Sequence, residues 1–181
     1  MNIINISDKS SLETATKILK SGGVVIFPTD TVYGIGCILE KRAIRKLYKI
    51  KNRPATQPTA VLMTKNQIGD IKKDIPSEFW DGQMTVIVPS KLFKYNFPKM
   101  ILQDGKIGIR LPKFLWLEKL INIVGPIVTS SANKKGEQPP KKFSEISSEL
   151  IKLADLTIKT NEKLSGVPSS VYDIENDLKI R

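Results

Sequence analysis

The stretch GGVVIFPTDTVYGIGC, Gly22–Cys37, holds both a strand and an interruption that a strand does not need. Val24–Phe27 is a run of β-branched and aromatic residues, the composition of a short buried strand. Pro28 closes it, and Thr29, Asp30 and Thr31 then place two hydroxyls and a carboxylate where apolar residues would otherwise continue. Val32–Gly36 turns apolar and flexible again. Two readings stand side by side. In the first, the hydroxyls sit at a strand's carboxyl end, where open α/β sheets bind ligands, and glycines let a ligand approach the backbone. In the second, the segment is a plain turn with Asp30 capping nearby amides. Gly34 and Gly36 lack the third glycine and following helix of a dinucleotide fingerprint.

Outward from this stretch the pattern alternates between helix and strand. Leu12, Ala15, Ile18 and Leu19 recur at helical spacing and stop at Gly22-Gly23. Ala43, Ile44, Leu47 and Tyr48 mark a second helix, ended by Lys51–Pro54 because a residue before proline avoids helical geometry. Strands are expected at Ala60–Met63, Met84–Val88, Ile107–Arg110, Ile127–Thr129, Leu156–Lys159, Ser170–Ile174 and Leu178–Ile180. Further helices are expected over Lys65–Lys72, Leu115–Ile123 and near Ser144–Leu153. Seven or so strands interleaved with helices predict an α/β fold: residues 1–181 as a single domain with one open, twisted mixed sheet and flanking helices.

Composition excludes several chemistries. The 181 residues contain no histidine and one cysteine, Cys37. A Ser-His-Asp triad, a Cys-His pair, a histidine-held zinc, an internal disulfide and a cysteine-built zinc site are therefore all impossible. Cys37, without histidine to activate it, reads as a small buried apolar residue. No apolar run approaches the roughly 20 residues of a membrane helix, and MNIINISDKSS lacks the order of a secretory signal, so a cytoplasmic protein is expected. With 29 basic and 18 acidic side chains the net charge is +11, which favours polyanionic partners unless the lysines are merely solvated. Charge gathers in KRAIRKLYKIK and in Lys134, Lys135, Lys141 and Lys142. Lys41/Arg45, Arg42/Lys46 and Arg45/Lys49 are like-charge i,i+4 pairs, each weakening an isolated helix by roughly 0.2–0.5 kcal/mol.

Two further motifs match an anion-handling site. In KIKNRP, Lys51 and Arg53 stand two residues apart and in an extended segment project to one side, as a phosphate or carboxylate clamp or as two solvated charges. In TSSAN, Ser131 and Asn133 have the same spacing beyond a strand, as ligand contacts or as turn caps.

Taken in order, PTDTVYGIG (28–36), Lys51-Asn52-Arg53-Pro54, WDGQMTVIV (80–88), IGIRLP (107–112), Ser131-Ala132-Asn133 and GVPSSVYD (166–173), with Arg181, resemble the YrdC-like threonylcarbamoyl-AMP synthases. The resemblance covers nearly the whole chain and matches the family's short single-domain type. It implies a sheet with a large basic concave face. It also implies a nucleotidyltransferase that makes L-threonylcarbamoyladenylate and pyrophosphate from L-threonine, bicarbonate or CO2, and ATP with Mg2+. That adenylate would feed the N6-threonylcarbamoyladenosine modification of tRNA at adenosine 37, through a downstream tRNA threonylcarbamoyl-transferase complex. The resemblance places Lys51, Arg53, Ser131, Asn133 and Arg181 on ATP, with Lys51 and Arg53 catalytic. It places Thr31, Arg110, Thr129 and Ser169 on threonine, Arg110 meeting the carboxylate, with no metal-ligating residue. Such chemistry builds charge on phosphoryl oxygens, which fixed cations stabilise without an imidazole.

The chain departs from the family pattern in places. Asp81 and Gln83 replace prolines, Gln57-Pro58-Thr59 replaces Asn-Pro-Leu, and Gly136–Lys141 replaces a hydroxyl-rich loop. Ala60–Met63 stands where many relatives carry a histidine. Two other classes come into view: a non-catalytic binder of double-stranded RNA, tRNA or ribosomal RNA, and the carbamoyl-adenylate enzymes of hydrogenase maturation. The latter are far larger and cysteine-rich. Trp80 and Trp116 read as core residues rather than base-stacking platforms.

Overall fold

The computed structural model describes residues 2–54, 56–69, 71, 75–80 and 82–181. The strands are β1 Ile3–Asn5, β2 Val25–Pro28, β3 Tyr33–Ile38, β4 Ala60–Leu62, β5 Met84–Pro89, β6 Lys106–Arg110, β7 Ile127–Ser131, β8 Leu156–Lys159, β9 Ser170–Asp173 and β10 Leu178–Lys179. The helices are α1 Ser11–Lys20, α2 Lys41–Ile50, α3 Lys65–Ile68, α4 Leu115–Val124 and α5 Ser148–Leu153. All ten strands join one mixed sheet in the order β1-β8-β2-β3-β7-β4-β6-β5-β9-β10. The expected α/β class holds, and two strands lie outside the expected set, β1 and β3.

β3 explains the opening stretch. It pairs antiparallel with β2, Pro28 opposite Tyr33 and Val25 opposite Gly36, so residues 29–32 are the loop of a β-hairpin. The strand does resume, turned back on itself. Its glycines hide it from propensity but are required by packing. A Cβ on Gly36 would lie 2.7 Å from the Val128 carbonyl oxygen of β7 and 2.9 Å from Ile127 Cγ2.

The helices follow their apolar periodicity. α1 buries Ala15 and Leu19, α2 buries Ala43, Ile44, Leu47 and Tyr48, and α4 buries Leu117, Leu120 and Ile121. This burial holds α2 together despite its like charges, since packing of an apolar stripe outweighs helix propensity. One of those charges is also neutralised: Lys46 donates to both Asp155 carboxylate oxygens at 2.6 and 2.7 Å. The helix expected over Lys65–Lys72 forms as α3 over Lys65–Ile68 and stops at Gly69, whose φ of 62° breaks it. Positions 70 and 72 lie outside the described residues. The helix expected near Ser144 starts later, at Ser148, with the Ser147 hydroxyl accepting from the Leu150 amide at 3.2 Å. Cys37 is fully buried, and burial raises its thiol pKa, so it is the inert core residue expected. Among the described residues no helix is long and apolar enough to cross a membrane.

Candidate active site

Strand alternation hollows one face of the sheet and fills the other. In β6, Ile107 and Ile109 are buried in the core while Lys106, Gly108 and Arg110 line a cavity. In β5, Val86 and Val88 are core while Thr85 and Ile87 line it; in β9, Val171 and Asp173 do the same. The cavity measures about 850 Å3 and runs from the β2–β3 hairpin loop across β7, β4, β6 and β5 to β9 and β10.

Hydroxyls floor one end. Thr29 and Thr31 are both buried and line the cavity. Thr29 Oγ1 donates to the Val32 carbonyl at 2.7 Å and accepts from the amides of Thr31 and Val32 at 3.1 and 3.2 Å. It also shares a 3.0 Å hydrogen bond with Thr31 Oγ1. The loop is thus both a hydrogen-bonded turn, capped by Thr29 rather than by the expected Asp30, and a cavity wall. From above it is held by the Gly166 amide on the Thr31 carbonyl at 2.8 Å and the Ser165 amide on the Asp30 carbonyl at 3.2 Å. Thr129 lines the cavity and donates to the Ile35 carbonyl at 3.1 Å, close to Gly34, whose absent Cβ leaves Thr129 Oγ1 room. Ser169 shares a 2.9 Å hydrogen bond with Thr85.

The cations converge from distant parts of the chain. Lys51, just past the end of α2, sends its ammonium to the backbone carbonyl oxygens of Ser131, at 2.7 Å, and of Asn133. Its partners are carbonyls, not carboxylates. Burial, and then the neighbouring charge of Arg53, lower its pKa to about 8, against a smaller opposite pull from Glu137. Arg53 lines the cavity, donates to the Pro58 carbonyl, and lies 5.7 Å over the Tyr48 ring. Ser131 lines the cavity as well. The Asn133 amide nitrogen instead donates to the carbonyls of Lys134 and Glu137 at 2.9 and 2.8 Å, which closes the loop after β7; its Oδ1 is buried with no partner among the described residues. Arg110, at the end of β6, is buried, donates from Nε to the Gly82 carbonyl at 2.8 Å and pairs with Asp30. Arg181 donates to the Ser169 carbonyl at 2.9 Å, and its own carbonyl accepts from Val171 at 3.0 Å, so it is held on β9 at the cavity edge.

Thr31, Arg53, Arg110, Thr129, Ser131, Ser169 and Arg181 therefore share one cavity, with Lys51 and Asn133 joined to it through the Ser131 strand end. Thr59, Thr85, Tyr33, Lys106 and Asp173 also line it, without a signal in residue order that marks them as site residues. Thr59 hydrogen-bonds the Thr129 carbonyl at 2.8 Å, and only its place two residues before the Val61-Leu62 core hints at this. The lysines of the 134–142 cluster lie outside the cavity. Lys134 pairs with Glu149, all four lysines are exposed, and none lines the cavity. The loop is tied down by the Tyr33 amide on the Pro140 carbonyl at 2.8 Å, and Pro139 reaches the cavity wall. Neither tryptophan lines this cavity; Trp80 is buried, and Trp116 hydrogen-bonds Ser11 at 3.1 Å.

A mixed sheet whose open face carries hydroxyls, backbone carbonyls and under-neutralised cations defines an α/β protein equipped for anionic small molecules. The Sua5/YciO/YrdC family model, described as telomere recombination, matches residues 17–181, and the chain belongs to that family. A relative from Methanocaldococcus jannaschii, provisionally named as a threonylcarbamoyl-AMP synthase, is 34% identical over 93% of this chain and 83% of its own. The crystal structure of Pyrococcus abyssi Sua5 complexed with L-threonine is similar with a TM-score of 0.82 and 28% identity, over 97% of this chain and 55% of that one. This chain therefore spans about half of the Pyrococcus protein. Escherichia coli YciO, 23% identical with a TM-score of 0.79 over 99% of this chain and 92% of its own, shares the fold.

Proposed function

We infer that the chain is a threonylcarbamoyl-AMP synthase, joining L-threonine, bicarbonate or CO2, and ATP into L-threonylcarbamoyladenylate with release of pyrophosphate. The observation that carries this is the Lys51 ammonium on the carbonyls of the Ser131 strand end, with Arg53 lining the same cavity as Ser131, beside a floor of threonine and serine hydroxyls. Named relatives share the activity, and the Pyrococcus structure holds L-threonine.

In this reading Arg110 receives the threonine carboxylate, and Thr31, Thr129 and Ser169 supply hydroxyls around the amino acid. The amine and CO2 form a carbamate and release a proton. A carbamate oxygen then attacks the α-phosphorus of ATP, and the bond to the pyrophosphate oxygen breaks. Negative charge grows on the phosphoryl oxygens and the leaving group, which is where Lys51 and Arg53 act, already oriented by carbonyls before the substrate arrives. Ser131, Asn133 and Arg181 hold the nucleotide. The hydroxyls and cations around Arg53 and Ser131 suit phosphate oxygens rather than a bare divalent ion, and the cavity's Asp173 carboxylate is occupied by Lys106. Mg2+ accordingly belongs to the nucleotide, held by phosphates and water. The product is a reactive mixed anhydride, consumed by transfer to tRNA through a downstream threonylcarbamoyl-transferase complex.

One observation favours an additional RNA contact: Lys41, Arg42, Arg45 and Lys49 are exposed along α2. Such binding weakens steeply with salt and is indifferent to threonine. The deciding experiment is incubation with radiolabelled bicarbonate, ATP, Mg2+ and threonine, with serine as control. A labelled, threonine-dependent nucleotide is expected; its absence, with retained RNA binding, would leave the chain a binding protein only.

A further inference from the structure

We propose that Asp30 is a positioning residue for amino-acid binding, which with the Gly82 carbonyl fixes the Arg110 guanidinium in the cavity wall so that it can receive the substrate carboxylate. This rests on the reading that Arg110 meets that carboxylate.

A guanidinium taken out of water must recover hydrogen bonds, and its five donors lie in one plane. The Arg110 side chain is 9% exposed, and its partners include acceptors from two separate segments: the Asp30 carboxylate at Nη2 and the Gly82 carbonyl at Nε. Acceptors on two different nitrogens set both the tilt and the rotation of a planar group. Asp30 does not line the cavity, although its neighbours Thr29 and Thr31 do, so it acts through the arginine.

Asp30 is itself immobilised. It sits at the tip of the β2–β3 hairpin, between two threonines whose hydroxyls lock the turn, and its carbonyl accepts from the Ser165 amide at 3.2 Å. Gly82 closes the other side. Its φ is 93°, and a Cβ there would lie 2.6 Å from Asp30 Oδ2 and 3.0 Å from Lys113 Cγ. Glycine is what lets its carbonyl and the Asp30 carboxylate meet one guanidinium from adjacent directions. The carboxylate in the opening stretch thus has a use that neither a turn nor a ligand contact accounts for.

The test compares Asp30→Asn, Asp30→Ala, Arg110→Ala and the Asp30→Ala/Arg110→Ala double variant as purified full-length chains. Measured quantities are KM for threonine, KM for ATP, inhibition by L-threoninol, which lacks the carboxylate, and melting temperature. Asp30→Asn, isosteric and the safeguard should Asp30→Ala unfold, is expected to raise KM for threonine at least tenfold. KM for ATP and threoninol inhibition should stay within twofold of wild type. In the Arg110→Ala background Asp30→Ala should add less than twofold, since a residue acting through another has no effect once that other is gone. If Arg110→Ala raises KM for threonine while neither Asp30 variant does, or if the two effects multiply, Asp30 is no positioning residue and the Arg110 reading survives. A wild-type KM in Arg110→Ala overturns that reading and this inference with it.

Discussion

Two lysines, Lys51 joined to the cavity through the Ser131 strand end and Lys106 in its lining, differ in what surrounds the ammonium. Lys51 faces two backbone carbonyls and has Arg53 beside it, and burial followed by that like charge brings its pKa down to about 8. Lys106 faces the Asp173 carboxylate at 3.0 and 3.1 Å and Glu175 at 2.9 Å, and these hydrogen bonds, Glu175 first, push its pKa up. Carbonyls orient an ammonium without cancelling its charge, whereas two carboxylates on one ammonium, as at Lys106, cancel it. The Lys51 end therefore keeps a positive field, and the Lys106 end is internally satisfied. A count of basic residues does not separate the two; only their partners do.

The largest expected effect would break this comparison outright if it failed. Lys51→Ala or Arg53→Ala should lower adenylate formation at least a hundredfold at unchanged melting temperature, as expected for a lost transition-state contact. Lys106→Ala should stay within about threefold of wild type in the same assay. Equal losses at both ends would show that charge partners do not decide function here.

The second expectation concerns pH. Lys51, with its pKa depressed to about 8, is charged below that value and neutral above it. At saturating threonine, kcat/KM for ATP should fall as pH rises through about 8, approaching tenfold per unit, because that ratio reports ionisations of the enzyme before ATP binds. Lys51→Arg should remove this limb, since arginine keeps its proton throughout. Lys106, shifted upward, contributes nothing in this window.

The smallest effect belongs to the satisfied end and is read in stability. Burial pushes the Asp173 carboxyl up, but the hydrogen bonds from Lys106 and Asn176 outweigh it, and the net shift is downward. Its stabilising contribution is therefore present above the ordinary carboxylate pKa and lost as pH falls through the depressed one. Denaturant titrations on the acid side should show wild type losing more stability than Lys106→Met, with the two converging at the lowest pH. A parallel loss in both would mean the pair is not what Asp173 titrates against.

Most of the fold could be read from residue order because β-branched runs and helical periodicity are local signals. Val25–Phe27, Ile107–Ile109 and the apolar stripe of α2 announce themselves. β3 escaped because Gly34 and Gly36 are poor strand formers, and they are there because β7 and Phe27 press against them. The candidate site was legible as motifs whose mutual position was not. Lys51 meets Ser131 across 80 positions, and Arg110 meets Asp30 across another 80. Thr59 and Thr85 sit inside quoted stretches, but nothing in residue order marks their side chains as cavity hydroxyls.

The residues alone determined the chemistry open to this chain: no histidine and one buried cysteine leave hydroxyls, carboxylates and fixed cations to handle anions. They also determined the class of fold, since strand and helix periods are written into neighbouring side chains. The tertiary structure alone decided which charges still act. Ladder pairing between distant strands chose which carbonyl or carboxylate each cation would face, and in a partly buried cavity that neighbour sets both its charge state and its field.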